Sequence, residues 1–313
     1  MQASARRQGC PRLAVAFFAC TLLLAASGCD NPIGPAPDPG PPPGPGASVL
    51  VGAGDIAKCG TPGGVATASL LDAIPGTVFT AGDNVYDNGD AKNYTECYEP
   101  TWGRHLDRTF PVPGNHDYAG WPGASNYFDY FGSAAGPRGL GYYKYQVGSW
   151  RVIALNSELF ANAENGASNA GAAATQVQWL KNELAANNMP CTIAIWHRPL
   201  FSSGRNGNNT DLRDLFRAAY DGNVDIVING HDHNYERFAP QDAEGRADAA
   251  RGIREFVVGT GGIGLYSQFN KKPNSETAIF NWGVLKLTLS PGAYAWDFIP
   301  VTGAHDTGSG VCH

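Results

Sequence analysis

Basic residues are scarce in this chain. Its 313 residues include 22 Lys and Arg against 28 Asp and Glu, and the formal net charge is −6. A nucleic-acid-binding surface needs clustered positive charge, so this balance argues against nucleic acid as a partner. Charged residues make up only 16% of the chain and hydrophobic residues 43%, which excludes a disordered protein and indicates a packed globular one.

Long hydrophobic runs are also lacking. The apolar stretch from Leu13 to Ala26 is shorter than the roughly 20 residues that cross a bilayer as a helix, and its arginine-bearing start is typical of an export signal. The segment Ala26-Ser27-Gly28-Cys29 resembles a lipobox, where bacterial signal peptidases cut before a cysteine that carries a lipid. We therefore expect residues 1–28 to be a lipoprotein signal peptide and Cys29 to anchor the protein to a membrane, on the periplasmic side or at the cell surface. Simple secretion is the alternative, and both place the protein outside the cytoplasm.

Residues 29–47 are dominated by proline and glycine, which form neither a helix nor a core. They predict a semi-extended spacer between the anchor and a folded part. The remaining residues, 48–313, suit one large domain better than two. The sequence carries no indication of the oligomeric state.

Four cysteines fall within residues 48–313, namely Cys59, Cys97, Cys191 and Cys312. An exported protein can form disulfides, and four cysteines allow three pairings. We expect Cys59 to pair with Cys97, because both lie in polar loops, and Cys191 to pair with Cys312. A free buried thiol at Cys191 stays open, since that residue begins an apolar run.

Short apolar runs recur along the domain and alternate with helical patterns. The predicted strands lie in SVLVGAG, GTVFTAG, RTFPVPG, WRVIALN, CTIAIWH and VDIVING, and the predicted helices are Gly64 to Ala73, Thr175 to Asn187 and Asp211 to Tyr220. This order favours an α/β fold with buried sheets covered by helices. Three later runs, REFVVGT, WGVLKLTL and AYAWDFIP, predict a second, partly antiparallel sheet.

Five of the predicted strands are followed by residues of the metal-ligand type, and four of the five have glycine just before them. The residues are Asp55, Asp83, Asn115 with His116 and Asp117, His197, and the pair His231 and His233. Loops at the carboxyl ends of neighbouring strands converge on one crevice, so these side chains are expected to meet. Glycine permits the sharp turn and the close backbone approach that such loops need.

The ordered set resembles the metallophosphoesterase superfamily, and within it the purple acid phosphatases, with the pattern GD, GDxxY, GNH plus an acid, VxxH and GHxH. The element GDNVY, from Gly82 to Tyr86, supplies the tyrosine of that pattern. The resemblance extends from Val49 to about Val301. It implies a four-layer α/β/β/α sandwich of two mixed β-sheets flanked by helices, with a dimetal site at the strand ends.

The resemblance also implies a division of the ligands between two metal ions. Asp55, Tyr86 and His233 would hold Fe(III), and Asn115, His197 and His231 would hold Fe(II), Zn or Mn, with Asp83 bridging both. Hard anionic donors suit a trivalent ion, while neutral amide and imidazole donors suit a divalent one.

Such a site implies an acid phosphatase that cleaves phosphate monoesters, with a hydroxide bound by the metals attacking the phosphorus of a small phosphorylated substrate. The chain lacks a recognisable serine or cysteine nucleophile motif, in agreement with this route. His116 would contact the phosphate or protonate the leaving group, and Asp117 would orient its ring.

The chain departs from the family pattern in the loop after His197. It reads RPLFSSGRNGNN and lacks the histidines that plant forms place there to contact substrate. Arg198 or Arg205 would then supply the phosphate contact, since guanidinium matches phosphate oxygens. The alternative is that both arginines are solvated loop charges.

Three other functions remain open at this stage. The same site could hydrolyse phosphodiesters or nucleotides, or the domain could be a surface binding module whose metals only stabilise loops. The pattern Gly259-x-Gly261-x-x-Gly264 imitates a dinucleotide fingerprint, but the residues after it do not predict the required helix. Nucleotide-cofactor binding is therefore not expected.

Overall fold

A computed structural model describes residues 46–120, 122–161, 170–186 and 188–313. The predicted signal peptide, Cys29 and nearly all of the predicted spacer lie outside the described residues. The first strand begins at Ser48, where the domain is expected to start. Within the described ranges, no helix combines the length and the apolar character needed to span a membrane.

The described ranges contain thirteen strands and six α-helices. The strands are β1 Ser48–Ala53, β2 Thr77–Ala81, β3 Thr109–Val112, β4 Tyr143–Val147, β5 Trp150–Ala154, β6 Cys191–Ile195, β7 Ile226–Asn229, β8 Tyr235–Phe238, β9 Arg254–Val258, β10 Ser275–Ile279, β11 Gly283–Ser290, β12 Ala293–Pro300 and β13 Asp306–Val311. The helices are α1 Gly63–Asp72, α2 Ala91–Asn93, α3 Asn115–Tyr118, α4 Ser125–Phe131, α5 Ala170–Ala185 and α6 Arg213–Asp221.

These strands form two mixed sheets. The first has the order β13-β12-β11-β1-β2-β3, and the second has the order β10-β8-β9-β7-β6-β5-β4. β1, β2 and β3 run parallel, as do β5, β6, β7 and β9. The carboxyl ends of parallel strands lie at one edge of their sheet, so the loops after them share that edge.

Side chains alternate between two cores along the second sheet. Ile226 and Ile228 of β7 pack in a core with residues of the first sheet such as Leu50, whereas Val227 packs with Leu180 of α5 and Phe216 of α6. One core therefore lies between the sheets, and the other lies between the second sheet and its helices. The predicted α/β architecture of two mixed sheets flanked by helices is confirmed.

The prediction for the C-terminal strands is wrong in one respect. β11 does not begin a new sheet, because it pairs antiparallel with β1, with Leu50 opposite Leu287, and carries β12 and β13 with it. Both sheets thus combine strands from distant parts of the chain. Short-range apolar patterns indicate strands but not the sheet edge at which each one pairs.

Helix ends shift slightly from their predicted positions. α1 begins and ends one residue earlier than expected, and α6 begins two residues later, after a short 3-10 turn over Thr210–Leu212. α5 starts five residues before the predicted Thr175, within an alanine-rich segment that favours helix. These shifts leave the loops that carry the ligand-type residues unchanged.

Candidate metal centre

All seven predicted ligands lie together at the carboxyl ends of the parallel strands. Asp55 and Asp83 follow β1 and β2, Tyr86 lies in the loop after β2, and Asn115 follows β3. The three histidines, His197, His231 and His233, follow β6 and β7 of the second sheet. The centre therefore lies where the corresponding edges of the two sheets face each other.

The first group surrounds the phenol of Tyr86. Its hydroxyl oxygen lies within hydrogen-bond distance of two carboxylate oxygens, 2.7 Å from Oδ1 of Asp55 and 2.8 Å from Oδ2 of Asp83. Nε2 of His233 lies 3.3 Å from both that hydroxyl and Oδ1 of Asp55. Four potential ligand atoms thus converge on one point.

The second group surrounds Nε2 of His197. This nitrogen lies 3.1 Å from Oδ1 of Asn115, 3.2 Å from Nδ1 of His231 and 3.2 Å from Oδ2 of Asp83. The ligand atoms of Asp83, His197 and His231 all lie within 4.8 Å of one another. Oδ2 of Asp83 is therefore shared by the two groups.

Backbone conformation explains how the ligands reach these positions. Asp55, Asp83 and His231 have φ values of 62°, 51° and 71°, in the left-handed region that non-glycine residues rarely adopt. A Cβ on Gly114 would come within 2.3 Å of Oδ1 of Asp83, and one on Gly82 within 2.6 Å of His197. The glycines that precede the ligands are required because the neighbouring loop lies too close for any side chain.

The outer atoms of the ligands are held by the backbone. Nδ1 of His197 donates to the Ala81 carbonyl at 2.8 Å, and Nδ1 of His233 donates to the Gly264 carbonyl at 2.7 Å. In the neutral form of both rings, these bonds leave Nε2 with a lone pair toward the centre, the form in which imidazole binds a metal. The remaining carboxylate oxygens, Oδ2 of Asp55 and Oδ1 of Asp83, accept from backbone N–H groups.

Burial and charge act in opposite directions on Asp83 and His197. Loss of water alone would raise the pKa of Asp83 and lower that of His197. Their mutual attraction outweighs burial, so that the pKa of Asp83 lies below its usual range and that of His197 is raised to about 10. A cation and a proton would compete for the same nitrogen, which links metal binding to proton release.

Among the predicted ligands, Tyr86 must lose a phenol proton before it can bind a metal. Burial, together with the charges of Asp55 and Asp83, raises the pKa of its phenol well above the usual range. Only a strongly charged cation at this point would displace the phenol proton. The first donor set joins three acidic groups with one imidazole, and the second joins the shared carboxylate with amide and imidazole donors, so these residues fit a dimetal centre.

His116 lies at the open side of the centre, with its side chain 33% exposed. Its Nδ1 lies 2.5 Å from the Asp87 carbonyl, and its Nε2 lies 4.0 Å from Oδ2 of Asp83. The carboxylate of Asp117 is buried and accepts hydrogen bonds from the Asn84 side chain, the Tyr94 hydroxyl and the Gly114 N–H. Nδ1 of His116 is thus held by the Asp87 backbone carbonyl, whereas Asp117, which the sequence predicts to orient that ring, bonds to the loops around the centre.

The two arginines of the loop after His197 have different surroundings. Nε of Arg198 donates to the fully buried carboxylate of Glu158 at 2.9 Å, and the Arg198 side chain is only 11% exposed. This ion pair holds the Arg198 side chain in place, and its contact with phosphate stays a prediction. Arg205 is exposed, and its guanidinium lies over the ring of Tyr266.

Two features of the centre were not assigned to it from the sequence. Tyr266 stacks on His233, with ring centroids 4.0 Å apart, but its surrounding residues follow no strand or helix pattern. The glycine pattern that imitates a dinucleotide fingerprint packs against the centre instead. A Cβ on Gly259 would come within 2.9 Å of Oδ2 of Asp55, and Gly264 supplies the carbonyl that holds His233.

A family model described as calcineurin-like phosphoesterase matches residues 65–235, which is more than half of the chain. The chain therefore belongs to the calcineurin-like phosphoesterase family. Together with relatives named purple acid phosphatases, this family implies a dimetal centre, for which Asp83, His197 and His231 form a candidate ligand group.

Curated relatives point to the same subgroup. An uncharacterised protein of Mycobacterium tuberculosis is 29% identical over 184 residues, and Purple acid phosphatase 22 of Arabidopsis thaliana is 27% identical over 164 residues. Each match covers 49% of this chain and 35% of the relative, so the chain spans about a third of the length of these relatives.

A solved structure shares the fold. The purple acid phosphatase isolated from yellow lupin (Lupinus luteus) seeds superimposes with a TM-score of 0.64 at 20% sequence identity, covering 86% of this chain and 54% of that chain. This likeness agrees with the two mixed sheets and flanking helices described above.

Proposed function

We propose that this protein is an exported metallophosphatase that hydrolyses phosphate monoesters at the centre built around Asp83. The observation that carries the proposal is the position of one atom, Oδ2 of Asp83. It lies 2.8 Å from the phenol of Tyr86 and 3.2 Å from Nε2 of His197, so it joins two separate sets of donors. A carboxylate oxygen so placed suits a bridge between two cations.

The two donor sets would hold different ions. Asp55, Tyr86 and His233 would bind Fe(III), while Asn115, His197 and His231 would bind Fe(II), Zn or Mn. Two such ions bind phosphate oxygens and lower the pKa of water, so that hydroxide is available near neutral pH. The side chains around the pair position the substrate and manage the proton of the leaving group.

His116 is the side chain best placed for that proton. The Asp87 carbonyl can only accept, so Nδ1 of His116 carries its hydrogen there and Nε2 faces the open side of the centre. A protonated Nε2 donates to a phosphoryl or leaving-group oxygen, and passes its proton to an alkoxide as the ester bond breaks. Neutral His116 cannot do either.

The cysteines support the proposed location outside the cytoplasm. Cys59 and Cys97 have Cα atoms 4.8 Å apart, Cys191 and Cys312 have Cα atoms 5.5 Å apart, and both pairs are disulfide-bonded, as predicted. Structural disulfides persist in oxidising compartments. We propose export by the N-terminal segment and attachment to a membrane through a lipid on Cys29.

Hydrolysis of two nitrophenyl esters tests the reaction. Purified metal-loaded protein should hydrolyse 4-nitrophenyl phosphate with a larger kcat/KM than bis(4-nitrophenyl) phosphate, and metal analysis should give about two ions per chain. With Fe(III) bound, a visible charge-transfer band should be present in the wild type and absent in Tyr86→Phe. Faster diester cleavage would contradict the monoester assignment, and metal without any hydrolysis would favour a binding module.

A further inference from the structure

A cavity lies at the end of the second sheet that is remote from the metal centre. It has a volume of about 350 Å³, and the residues that line it include Lys144, Gln146, Arg151, Glu183, Asn188 and Met189. Arg151, near the start of β5, pairs with Thr192 near the start of β6, whereas the proposed ligand His197 follows the other end of β6. At about 3.3 Å per residue, Thr192 lies roughly 16 Å from His197. The cavity is therefore separate from the centre.

Arg151 is the buried cation of this cavity, with only 6% of the residue exposed. Its Nη1 donates to the Glu183 carbonyl at 2.6 Å, near the end of α5, where carbonyl groups lack partners within the helix. Nε and Nη2 are also buried, and neither has an acceptor among the residues that the structure describes. Burial lowers the pKa of Arg151, although the charge of Glu183 acts in the opposite direction. Capping of α5 thus uses one of the three guanidinium nitrogens and leaves two unmatched.

The two unmatched nitrogens form the edge of the guanidinium that binds carboxylates elsewhere in this chain. Nε and Nη2 of Arg104 donate to the two carboxylate oxygens of Asp72 at 2.7 Å and 2.6 Å. The same two atoms of Arg237 donate to Asp306 at 2.8 Å and 3.1 Å. Two parallel N–H groups match two oxygens of one anion, and buried donors without an acceptor are costly. The edge of Arg151 therefore suits an oxyanion.

The side chains around Arg151 leave room for such a ligand. Gln146 lies directly opposite Arg151 in the ladder of β4 and β5, but its amide donates to the Gly148 carbonyl at 2.7 Å. Lys144 lies on the same face, diagonally opposite Arg151, and forms an exposed ion pair with Glu183. Diagonal neighbours are about 7–8 Å apart, and exposed ion pairs contribute little stability. Rotation of the exposed Lys144 and Gln146 side chains would open the Arg151 edge, and Lys144 would then face the same ligand.

The hairpin of β4 and β5 lies beside the first residue of β1. A Cβ on Gly148, in the turn between the two strands, would come within 2.4 Å of Oγ of Ser48. Ser48 directly follows the proposed spacer. A chain attached to a membrane through Cys29, as proposed above, thus enters the domain beside the hairpin that carries Arg151.

We propose that Arg151 and Lys144 form a second anion site, separate from the metal centre, whose ligand is a phosphate group, free or in the headgroup of an anionic lipid. A phosphate has two oxygens for the Arg151 edge and a further oxygen for the Lys144 ammonium, whereas a carboxylate has only two oxygens. The site does not depend on the proposed reaction, and only the lipid source rests on the proposed membrane attachment.

Equilibrium dialysis against radiolabelled inorganic phosphate counts the sites. Metal-loaded wild type is expected to bind two phosphates per chain, one at the metal centre and one at Arg151. Arg151→Lys keeps the charge but removes the two-donor edge. We expect it to weaken one of the two phosphates about 10- to 100-fold, since hydrogen bonds to charged groups contribute on that scale. Hydrolysis of 4-nitrophenyl phosphate should stay at the wild-type rate in this variant.

Further variants make the result independent of the folding of Arg151→Lys. Lys144→Glu reverses a charge at the exposed side of the cavity, leaves Arg151 in place and should weaken the same phosphate. Asp83→Asn, which should lose the metal ions, is expected to bind one phosphate, and its double variant with Arg151→Lys none. The matched control is Arg213→Lys, at an exposed position at the start of α6, which should bind both phosphates as the wild type does.

Flotation with lipid vesicles distinguishes the two sources of phosphate. The chain with Cys29→Ser, which cannot carry a lipid, is mixed with phosphatidylcholine vesicles that contain or lack phosphatidylglycerol. Binding that requires phosphatidylglycerol and is lost in Arg151→Lys and Lys144→Glu would identify a lipid headgroup. Arg151-dependent phosphate binding in dialysis, without binding to vesicles, would identify the free ion.

Two results would contradict different parts of the account. Unchanged phosphate binding in both Arg151→Lys and Lys144→Glu, together with no selective binding to phosphatidylglycerol, would overturn the second site. An Asp83→Asn variant that binds as much phosphate as the wild type would contradict the proposed function instead, because the metal centre would then hold no phosphate.

Discussion

The backbone carbonyl of Asp87 and Nδ1 of His116 lie 2.5 Å apart, which fixes the direction of the histidine ring. The side chain of Asp87 is in turn paired with Lys58 at 2.7 Å. The ring that faces the proposed substrate position is therefore oriented by a neighbouring loop rather than by a buried acid. This relationship makes the role of His116 open to a direct test.

Replacement of His116 by alanine should slow substrates according to their leaving groups. We expect kcat/KM for an alkyl phosphate to fall about 100-fold or more, because proton transfer to a poor leaving group contributes on that scale. For 4-nitrophenyl phosphate, whose leaving group needs no proton, the decrease should be smaller. His305→Ala, which removes an exposed histidine bonded to Asp297, serves as the control. Equal losses for both substrates would rule out proton donation by His116.

The shared oxygen of Asp83 predicts unequal effects on metal content. Asp83→Asn removes the charge from both donor sets, so we expect metal analysis after dialysis to give clearly less than one ion per chain. Asn115→Ala removes a donor from the second set only, and it should keep about one ion, together with the visible band of the Tyr86 site. Equal losses in the two variants would show that Asp83 does not join the sites.

The two disulfides should differ in their effect on the centre. Cys59 follows Asp55 by four residues, and Cys97 lies in the segment after Tyr86, so this bond joins two ligand loops. We expect the double replacement of these cysteines by alanine to lower both the melting temperature and the metal affinity. Loss of either disulfide should cost about 2–5 kcal/mol of stability.

The Cys191–Cys312 bond provides the matched control. Cys191 begins β6, whereas the ligand His197 follows the other end of that strand. Its removal should lower the melting temperature, because the bond closes a loop of 121 residues in the unfolded chain. The metal affinity should stay near that of the wild type. A metal titration that shows the same loss for both double variants would contradict the assignment.

Most of the centre could be predicted from the sequence because each ligand follows a regular local pattern. Asp55, Asp83 and Asn115 each come after an apolar run and a glycine, and these two signals report a strand end and a tight turn. The structure places all of them at one edge for that reason. Local pattern and three-dimensional position coincide at such sites.

Other parts could not be predicted because their partners are distant in sequence. β8 contains Glu236 and Arg237, which interrupt an apolar pattern. Arg237 is nevertheless buried, and its guanidinium forms an ion pair with Asp306 of β13. β13 itself has two glycines and no apolar run. Tyr266 likewise acquires its place only through contacts with His233 and Arg205. Such residues are explained by tertiary contacts rather than by periodicity.

A buried acid outside the centre predicts how stability depends on pH. Glu255 of β9 is fully buried, and its carboxylate accepts long hydrogen bonds from the Phe201 N–H at 3.4 Å and from Gln241 at 3.3 Å. Burial raises the pKa of Glu255 well above its usual range. The folded chain therefore keeps this proton to a higher pH than the unfolded chain does.

Between the unfolded pKa, which is near 4.3, and the folded pKa, unfolding releases the Glu255 proton, so the free energy of unfolding decreases as pH rises. Glu255→Gln has no proton to release at this position and escapes that decrease. The free energy of unfolding is measured with urea at pH 5 and at pH 7. From the lower to the higher pH, we expect the value for Glu255→Gln to rise relative to that of the wild type, by up to about 1.4 kcal/mol per pH unit. The control Glu96→Gln, at an exposed position beside Lys92, should show no such shift. A constant difference between wild type and Glu255→Gln across this range would mean that Glu255 is ionised in the folded protein, and that a cationic or hydrogen-bonding partner stabilises its charge.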